Sequence, residues 1–491
     1  MANNNRRFLI LCGSFLLAAC FLLSGEEKTL TVIQTADLHG AVAKNRIFRT
    51  AELVRRVTEQ NGGVECSIRI DCGDLIQGSH AMTFEPFRQA MFHILNDLHF
   101  EAFVPGNHDL EFGIRALQKA LTPFRGTLLA ANWQWQSFPA KKDYVILHKN
   151  GLKAAVIGLG YHHASPDLSR PSEKGLLRTA PARNTLRRIM PAVMREKPHI
   201  IILAVHAGEH TRLEQGITLR DLAGEFPQID LVLSSHSHQE CRGKVLKNNT
   251  VRMQAPALGK GIAVAHLRYD TVKRAVTSLK TEILPVNGDT PMHRKLFREM
   301  HSLNRIVKQE GRKIIGTVPF ELGPLQHGKF SNPLTELCFK AITESTGADI
   351  VFYTPSTRFR KMPGPLNSHE LFLLFPYEES AGVLELDHNE CMEILSEQIR
   401  NRRKGYFQAP GGIKFKLKRS RVTALTLQDG NVKNKYRCAF SNYILAGGGG
   451  RFPVLKAIAQ KHRIRFYTPS IRDMLRHYII KNLQKKGSAT P

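Results

Sequence analysis

The first half of the chain repeats one pattern, in which a short apolar run ends in a loop rich in Asp, Asn or His. These runs predict buried strands because they are short and rich in β-branched residues. The segments between them, such as Arg49–Glu59 and Phe84–Leu98, have helical periodicity. The predicted strands are Leu30–Ala36, Ser67–Cys72, Glu101–Val104, Ala154–Leu159, His199–Val205 and Asp230–Leu233. Strands that alternate with helices predict a layered α/β fold.

The second half, from Gly316 onward, keeps strands and helices but loses the polar loops at the strand ends. Its predicted helices are Pro333–Thr346, Glu390–Ile399 and Ile471–Leu483, and its predicted strands are Asp349–Tyr353, Val383–Leu386, Lys414–Leu417 and Ala424–Leu427. A predicted helix over His293–Gln309 connects the halves. We therefore expect a first domain over residues 28–285, a linker helix over 290–312, a second domain over 313–484 and a tail over 485–491.

The composition fits a globular protein of more than one domain. The chain has 491 residues, of which 42% are hydrophobic and 23% are charged, so it can bury large cores. Its net charge of +28 attracts anions such as nucleotides, nucleic acid or anionic lipid. A solvated basic surface explains the same excess, so the charge alone indicates no nucleic-acid partner.

The N-terminal segment predicts export. Phe8–Leu23 is apolar, uncharged and short for a membrane-spanning helix, so residues 1–25 are predicted to be a secretory signal. Within it, Leu17–Cys20 resembles a bacterial lipobox, which would lipidate Cys20 and attach the protein to a membrane. Ordinary cleavage near Gly25 and uncleaved anchoring stay open, because the residues after Cys20 remain apolar. The predicted location is the periplasm or the cell envelope.

The cysteines after this segment are few for the length of the chain. They form no C-x-x-C pair, so neither a zinc knuckle nor a dense disulfide framework is predicted. An exported protein can still form isolated disulfides, and Cys66 and Cys72 are the nearest pair in the sequence.

The loops after the predicted strands supply oxygen and nitrogen groups and no thiolate. In chain order the side chains are Asp37, His39, Asp74, Asn107, His108, His206, His236 and His238. Such a set suits zinc, manganese, iron or cobalt. It is larger than one metal ion needs, which predicts two ions that share a carboxylate. Ligands gather beyond the carboxyl ends of strands in layered α/β folds, so we expect these loops to meet at one site.

The motifs that carry these residues are LTVIQTADLHG, DCGDLIQGS and VPGNHDLEFG. They resemble the calcineurin-like metallophosphoesterases, in particular the exported 5′-nucleotidase, UDP-sugar hydrolase and 2′,3′-cyclic phosphodiesterase family. The resemblance covers nearly the whole chain after the signal. It implies an αββα metallophosphoesterase sandwich, a smaller α+β nucleotide-recognition domain, two divalent metal ions and a monomer that acts on a nucleotide or another phosphate ester.

The resemblance also implies a role for each strand-end residue. The implied ligands are Asp37, His39 and His238 for one metal, Asn107, His206 and His236 for the other, and Asp74 as the bridge between them. His108 is the implied catalytic histidine, which would stabilise charge on phosphoryl oxygens or protonate the leaving oxygen. Its partner is usually an Asp three positions later, and here that position is Glu111.

The second domain departs more from the family. Tyr406 and Phe452 match the aromatic residues that stack on a base, and Arg358 matches a phosphate-binding arginine. The glycine-rich stretch before Phe452 lacks the usual Asp and gains Arg451. Ordinary packing aromatics are the alternative interpretation of Tyr406 and Phe452.

The sequence therefore predicts an exported, two-metal phosphohydrolase that acts on nucleotides as a 5′-nucleotidase. Cleavage of 2′,3′-cyclic nucleotides or of UDP-sugars is the alternative within the same family. A non-catalytic, anion-binding surface protein is the alternative from another class, and the net charge of +28 supports it. The intact set of metal ligands favours the enzyme.

Overall fold

The structure of the protein is a computed structural model. It describes residues 27–483, apart from 42, 136–140, 164–172, 174, 215, 403 and 419–420. The predicted signal, with Cys20, and the predicted tail lie outside the described residues. Within the described part of the chain, no helix is both long and apolar enough to span a bilayer.

The first domain contains a mixed sheet of six strands. In spatial order these are Ala275–Pro285, Gly261–Asp270, Glu27–Thr35, Ser67–Asp71, Ala102–Phe103 and Thr127–Leu128. The four strands that come first in the chain are parallel, and the two last strands add an antiparallel hairpin at the edge. The loops that follow the parallel strands therefore lie along one edge of the sheet.

A second sheet of six strands faces the first. Its spatial order is Cys241–Val245, Val251–Gln254, Leu231–Leu233, Ile200–Val205, Leu152–Leu159 and Tyr144–Lys149. The four central strands are parallel, and both edge strands are antiparallel. The two innermost strands, Ile200–Val205 and Leu231–Leu233, are apolar along their whole length because both faces of the sheet are covered.

The two sheets pack face to face through a core that includes Val32, Ile70, Val156 and Ile202, all of which are fully buried. Helices cover both outer faces. They are Arg46–Gln60, Glu85–Asp97 and Ile114–Leu121 on the first sheet, and Ala182–Arg195 and Leu219–Glu225 on the second. The predicted αββα sandwich is confirmed.

Short elements complete the first domain. The paired strands are Trp133–Trp135 with Leu177–Thr179 and Arg212–Glu214 with Ile217–Thr218. The 3₁₀ turns are Ala43–Asn45, Val64–Cys66, His80–Thr83, His108–Leu110 and Lys247–Asn249.

The linker differs from its prediction. The single helix expected over His293–Gln309 is two helices, Arg294–Glu299 and His301–Arg312. They meet at Met300, whose ψ of 0° leaves the helical range. The Met300 side chain is buried in the core of the first domain, which explains why the chain turns there.

The second domain is a smaller α+β unit around a sheet of five strands. The strands are Pro410–Gly411, Ile350–Phe352, Lys435–Ser441, Ala381–Asp387 and Arg465–Tyr467. Two antiparallel pairs flank it, Ile314–Val318 with Gly364–Asn367 and Ile413–Lys418 with Arg421–Leu427. Its helices are Pro333–Thr346, Ser368–Leu374, His388–Arg402, Asn442–Leu445, Pro453–Ala459 and Ile471–Leu483, with a 3₁₀ turn at Gly448–Gly450.

Two of the second domain's helices, Pro333–Thr346 and Ile471–Leu483, have the predicted bounds. The first begins at a capping box in which the Asn332 side chain accepts from the Thr335 amide, and it ends at Gly347 in the left-handed conformation. These caps satisfy backbone groups that a helix leaves unpaired at its ends.

The described cysteines form no disulfide. Cys72 is fully buried between the sheets, where its thiol lies 3.8 Å from the carbonyl oxygen of Leu233. Cys66 is in the turn before the strand Ser67–Asp71, and Cys72 directly follows that strand. The pair that is nearest in sequence is therefore not bonded.

Candidate functional site

The polar side chains at the strand ends meet at one edge of the sandwich, because parallel strands of both sheets end there. The first loops are joined by backbone hydrogen bonds, since the Asp37 amide donates to the Gly73 carbonyl at 2.9 Å. Loops of the two sheets are joined as well. The His236 amide donates to both carboxylate oxygens of Asp37, at 3.0 and 3.1 Å.

Two clusters of possible metal ligands share Asp74. Within each cluster the ligand atoms lie within 4.8 Å of one another. The clusters are Asp37, His39, Asp74 and His238, and Asp74, His206 and His236. The shared carboxylate places the two clusters side by side, which is the arrangement that a dinuclear centre requires.

Asn107 lies beside the second cluster. Its Oδ1 is 3.2 Å from Nε2 of His206, so the amide oxygen and the imidazole point to the same place. The other ring nitrogen of His206 lies 2.7 Å from the Cys72 carbonyl oxygen. A hydrogen bond to that carbonyl fixes the tautomer and leaves Nε2 free to bind a metal ion.

The residues fit divalent cations. Oδ2 of Asp74 is buried and lies 3.2 Å from Nε2 of His206, yet it makes no hydrogen bond within the described part of the chain. Burial raises the pKa of Asp37 to about 7 and lowers the pKa of His39 and of His236 to about 4. Burial thus favours the neutral, metal-binding imidazole at His39 and His236 and disfavours an isolated carboxylate at Asp37. The carboxylates of Asp74 and Asp37 outweigh burial at His206 and raise its pKa to about 9.

The backbone at the clusters is strained. Residues with a side chain adopt the left-handed region there, with φ between 48° and 68°. They are Asp37, His39, Asp74, His236 and His238. Such conformations are uncommon outside glycine and concentrate at functional sites, where the surrounding structure enforces them.

Asp109 supports the site from behind. It is fully buried and accepts hydrogen bonds from four backbone amides, those of Asp74, Leu75, Ile76 and Gly106, at 2.8 to 3.1 Å. One carboxylate therefore joins the loops after two neighbouring strands. The motif VPGNHDLEFG predicted the chemistry of its neighbours and gave no sign of this role.

Gly106 is needed because its backbone approaches Asp74 closely. A Cβ at this position would lie 2.1 Å from Oδ1 of Asp74 and 2.7 Å from its backbone nitrogen. We expect Gly106→Ala to displace Asp74 and to reduce turnover on the order of 100-fold. Metal content measured by mass spectrometry should fall in parallel.

Gly288→Ala is the matched control for this change, because nothing lies within 4 Å of the added Cβ. We expect that variant to keep the metal content and the activity of the original chain. Gly106→Ala with full metal content and full activity would contradict the close approach.

His108 and Glu111 form a hydrogen-bonded pair through Nδ1 and Oε1. Nε2 of the same ring lies 4.0 Å from Oδ2 of Asp74 and faces the clusters. Burial lowers the pKa of His108, but the carboxylates of Asp74 and Glu111 outweigh burial and raise it to about 10. The ring is therefore held as a proton donor next to the clusters.

A loop of the second domain covers this pair, and the sequence did not predict it. The ring of Tyr377 stacks on His108 with centroids 5.7 Å apart and planes 25° apart. Gln77 donates to the Pro376 carbonyl at 2.9 Å, while its Oε1 lies 3.3 Å from Nδ1 of His39. A contact of this kind depends on how the two domains pack, which no local sequence pattern indicates.

The predicted substrate-binding residues lie on the second domain and do not all face the cleft. Arg358 is exposed. Burial raises the pKa of the Tyr377 phenol, and the positive charge of Arg358 is close enough to oppose that rise. Tyr406 is 40% exposed, and the guanidinium of Arg451 lies 4.2 Å from its ring centroid. The Tyr406 ring is thus already stacked against a cation.

Phe452 differs from its prediction. Its side chain is 1% exposed and packs in the core of the second domain. The glycines at 447–450 all have positive φ and turn the chain so that the ring points inward. Phe452 is therefore not available to stack on a base in this structure, whereas Tyr377 is an aromatic residue that the second domain presents to the clusters.

Comparison with known families agrees with this architecture. Residues 30–240 match the calcineurin-like phosphoesterase family, which uses a dinuclear divalent metal site. The first domain is therefore a calcineurin-like phosphoesterase domain. Residues 319–457 match the 5′-nucleotidase C-terminal domain. The chain belongs to the family of metallophosphoesterases that combine these two domains.

Individual relatives are distant. The trifunctional nucleotide phosphoesterase protein YfkN of Bacillus subtilis is 22% identical over 485 residues, which cover 86% of this chain and 32% of YfkN. The 2′,3′-cyclic-nucleotide 2′-phosphodiesterase/3′-nucleotidase of Salmonella typhimurium is 24% identical over 349 residues, or 60% of this chain and 52% of that protein. This chain thus spans a third to a half of the length of these relatives.

Among solved structures, the 5′-nucleotidase precursor of Thermus thermophilus matches with a TM-score of 0.66 and 18% identity. The match covers 92% of this chain and 96% of that one. At this identity the similarity establishes the two-domain fold and leaves the substrate to be argued from the site.

Proposed function

We propose that the protein is a metal-dependent phosphoric ester hydrolase that releases phosphate from nucleotides. The observation that carries the proposal is the position of Asp74, which is shared by two ligand clusters and lies beside the pair of His108 and Glu111. Family membership supports a phosphoesterase, and the 5′-nucleotidase C-terminal domain supports a nucleotide substrate.

The proposed ligands are Asp37, His39 and His238 for one ion, Asn107, His206 and His236 for the other, and Asp74 for both. Two divalent ions held there would lower the pKa of an attacking water and neutralise charge on the phosphoryl oxygens. The chain itself would orient the reacting groups. Glu111 accepts from Nδ1 of His108, so a proton on Nε2 would face the leaving oxygen.

The second domain would position the nucleotide. Tyr377 offers an aromatic face beside the clusters, and Arg358 lies near it as a cation for phosphate. Tyr406 lies farther along the same domain and remains part of the proposal as a stacking residue. The preferred substrate is proposed to be a nucleoside 5′-monophosphate, and 2′,3′-cyclic nucleotides and UDP-sugars are the alternatives.

A substrate panel tests the proposal. We expect the protein with added Mn²⁺ or Zn²⁺ to release phosphate from AMP faster than it cleaves UDP-glucose, 2′,3′-cyclic AMP or bis(p-nitrophenyl) phosphate. EDTA should abolish all turnover, because the water is activated by the ions. Malachite green detects the phosphate released from AMP, and the colour of p-nitrophenolate reports cleavage of the diester. Chromatographic separation of the nucleotides detects cleavage of UDP-glucose and of 2′,3′-cyclic AMP, which release no free phosphate in that step.

The panel also separates the alternatives. If 2′,3′-cyclic AMP is the preferred substrate, the protein is a cyclic-nucleotide phosphodiesterase and not a 5′-nucleotidase. If UDP-glucose is preferred, it is a UDP-sugar hydrolase. If all four compounds stay intact with either ion, the hydrolase proposal fails. Binding to anionic vesicles that weakens with salt and is unchanged by EDTA would then favour an anion-binding surface protein. The net charge of +28 is the observation that supports this alternative.

Export is part of the proposal and rests on the apolar segment within residues 1–25. Lipidation of Cys20 is the alternative to ordinary cleavage of the signal, and it would hold the enzyme at the cell envelope.

A further inference from the structure

The geometry points to a catalytic pair that is completed by the second domain. We propose that Arg472 is a positioning residue that holds the loop 375–379 so that the Glu378 amide orients Glu111 on His108. The inference rests on the proposed hydrolase function and goes beyond it. The second domain would then contribute to catalysis even for a substrate that has no base for it to bind.

Two backbone groups of the loop 375–379 contact side chains of the first domain, one beside His108 and one beside His39. The Glu378 amide donates to Oε2 of Glu111 at 3.0 Å, while Oε1 of the same carboxylate binds His108. On the other side, Gln77 binds the Pro376 carbonyl and the ring of His39. Each contact joins a second-domain backbone group to a side chain that orients an imidazole of the site.

The back of the loop is fixed within the second domain. Arg472, which is 9% exposed, forms an ion pair with Glu378 and donates to the Phe375 carbonyl at 3.1 Å. The Ile471 amide donates to the Glu379 carbonyl at 2.8 Å, and Tyr353 donates to the Glu379 carboxylate at 2.7 Å. The loop thus transmits the position of the C-terminal helix Ile471–Leu483 to the catalytic pair.

The length of Glu111 explains why such support is useful. The family usually has the shorter Asp at this position, and the extra methylene of Glu111 adds a torsion that must be fixed before the carboxylate can orient His108. A second hydrogen bond to the free carboxylate oxygen fixes it. Because the donor lies on the other domain, the pair is fully ordered when the domains are in the arrangement seen here.

The kinetic test compares variants of the full chain on AMP and on ribose 5-phosphate, which has the same kind of alkoxide leaving group and carries no base. We expect Arg472→Met to lower kcat about tenfold on both substrates while KM changes less than about threefold. Arg472→Lys, which keeps the charge, should recover part of kcat. Arg476→Met is the matched control, because Arg476 lies one turn along the same helix, lines the same interdomain cavity and is exposed.

Two kinetic outcomes would overturn the inference. One is an unchanged kcat in Arg472→Met. The other is a rise in KM for AMP alone, since that result would limit the second domain to binding the nucleotide. Melting curves identify a variant that fails to fold. Hydrogen exchange at the Glu378 amide then tests the contact with Glu111 independently of that variant.

Hydrogen exchange tests the contact without any turnover, so it is informative even if the panel shows no hydrolysis. We expect the Glu378 amide to exchange at least about tenfold faster in Glu111→Ala than in the original chain. The Ile471 amide, which bonds within the second domain, should keep its rate in both. Equal rates for Glu378 in the two proteins would overturn the inference, because its amide would then not be held by Glu111.

Discussion

Asp74→Asn is expected to lower kcat on the order of 1,000-fold and to reduce the metal content to less than two ions per chain. Asp74 is shared by both ligand clusters, and its Oδ2 is a buried oxygen without a hydrogen bond among the described residues. An amide there would replace one anionic oxygen by a nitrogen that binds metals poorly. The loss would fall on both ions at once.

The measurement pairs metal content by mass spectrometry with kcat on the preferred substrate of the panel. Asp71→Asn is the matched control, because Asp71 is also a fully buried carboxyl at the end of the same strand. Asp71 belongs to neither ligand cluster, because its two oxygens are taken by the Thr35 hydroxyl and the Gly73 amide, and burial raises its pKa to about 8. Asp74→Asn that keeps both ions and full activity would refute the shared role.

The positions of the proposed metal ligands could be predicted from the sequence because each lies directly after a strand that local pattern reveals. The run that ends at His206 is apolar throughout, and the run that ends at Asp37 is buried from Leu30 to Thr35, as strands covered on both faces must be. Parallel strands then bring their ends to one edge without any further information. Residues 37 and 206 follow strands of different sheets, so they meet because the two sheets also pack with these edges together.

Other features depend on tertiary contacts and could not be predicted. The helix Ala182–Arg195 contains Pro191, a residue that disfavours the interior of a helix, and this helix packs on the second sheet. The stack of Tyr377 on His108 requires the relative position of two domains. The inward turn of Phe452 depends on successive glycines in the left-handed region, and glycine itself permits either sign of φ.

The role of Glu111 combines both kinds of information. Its spacing from His108 was visible in the sequence, and the hydrogen bond between them agrees with that spacing. Its second oxygen binds an amide of the other domain, which no local pattern indicates. The longer side chain is therefore a departure whose consequence only the folded chain displays.

His108→Ala is expected to lower kcat on AMP by about 100- to 10,000-fold while both ions stay bound. The metal site should persist because Asp74 accepts from the His108 backbone amide at 2.8 Å, and that donor remains in the variant. His148→Ala is the control, since His148 is an exposed histidine on the outer strand Tyr144–Lys149. Full metal content together with full activity in His108→Ala would refute its catalytic role.

The leaving group distinguishes the two roles that His108 could have. A ribose alkoxide is a poor leaving group and needs a proton, whereas p-nitrophenolate leaves readily without one. Nε2 of the ring faces the clusters while Glu111 binds Nδ1, so we expect general-acid catalysis. His108→Ala should then lose about tenfold or less on bis(p-nitrophenyl) phosphate and far more on AMP. Equal losses on both substrates would instead assign His108 to charge stabilisation at the phosphoryl oxygens, because that interaction is independent of the leaving group.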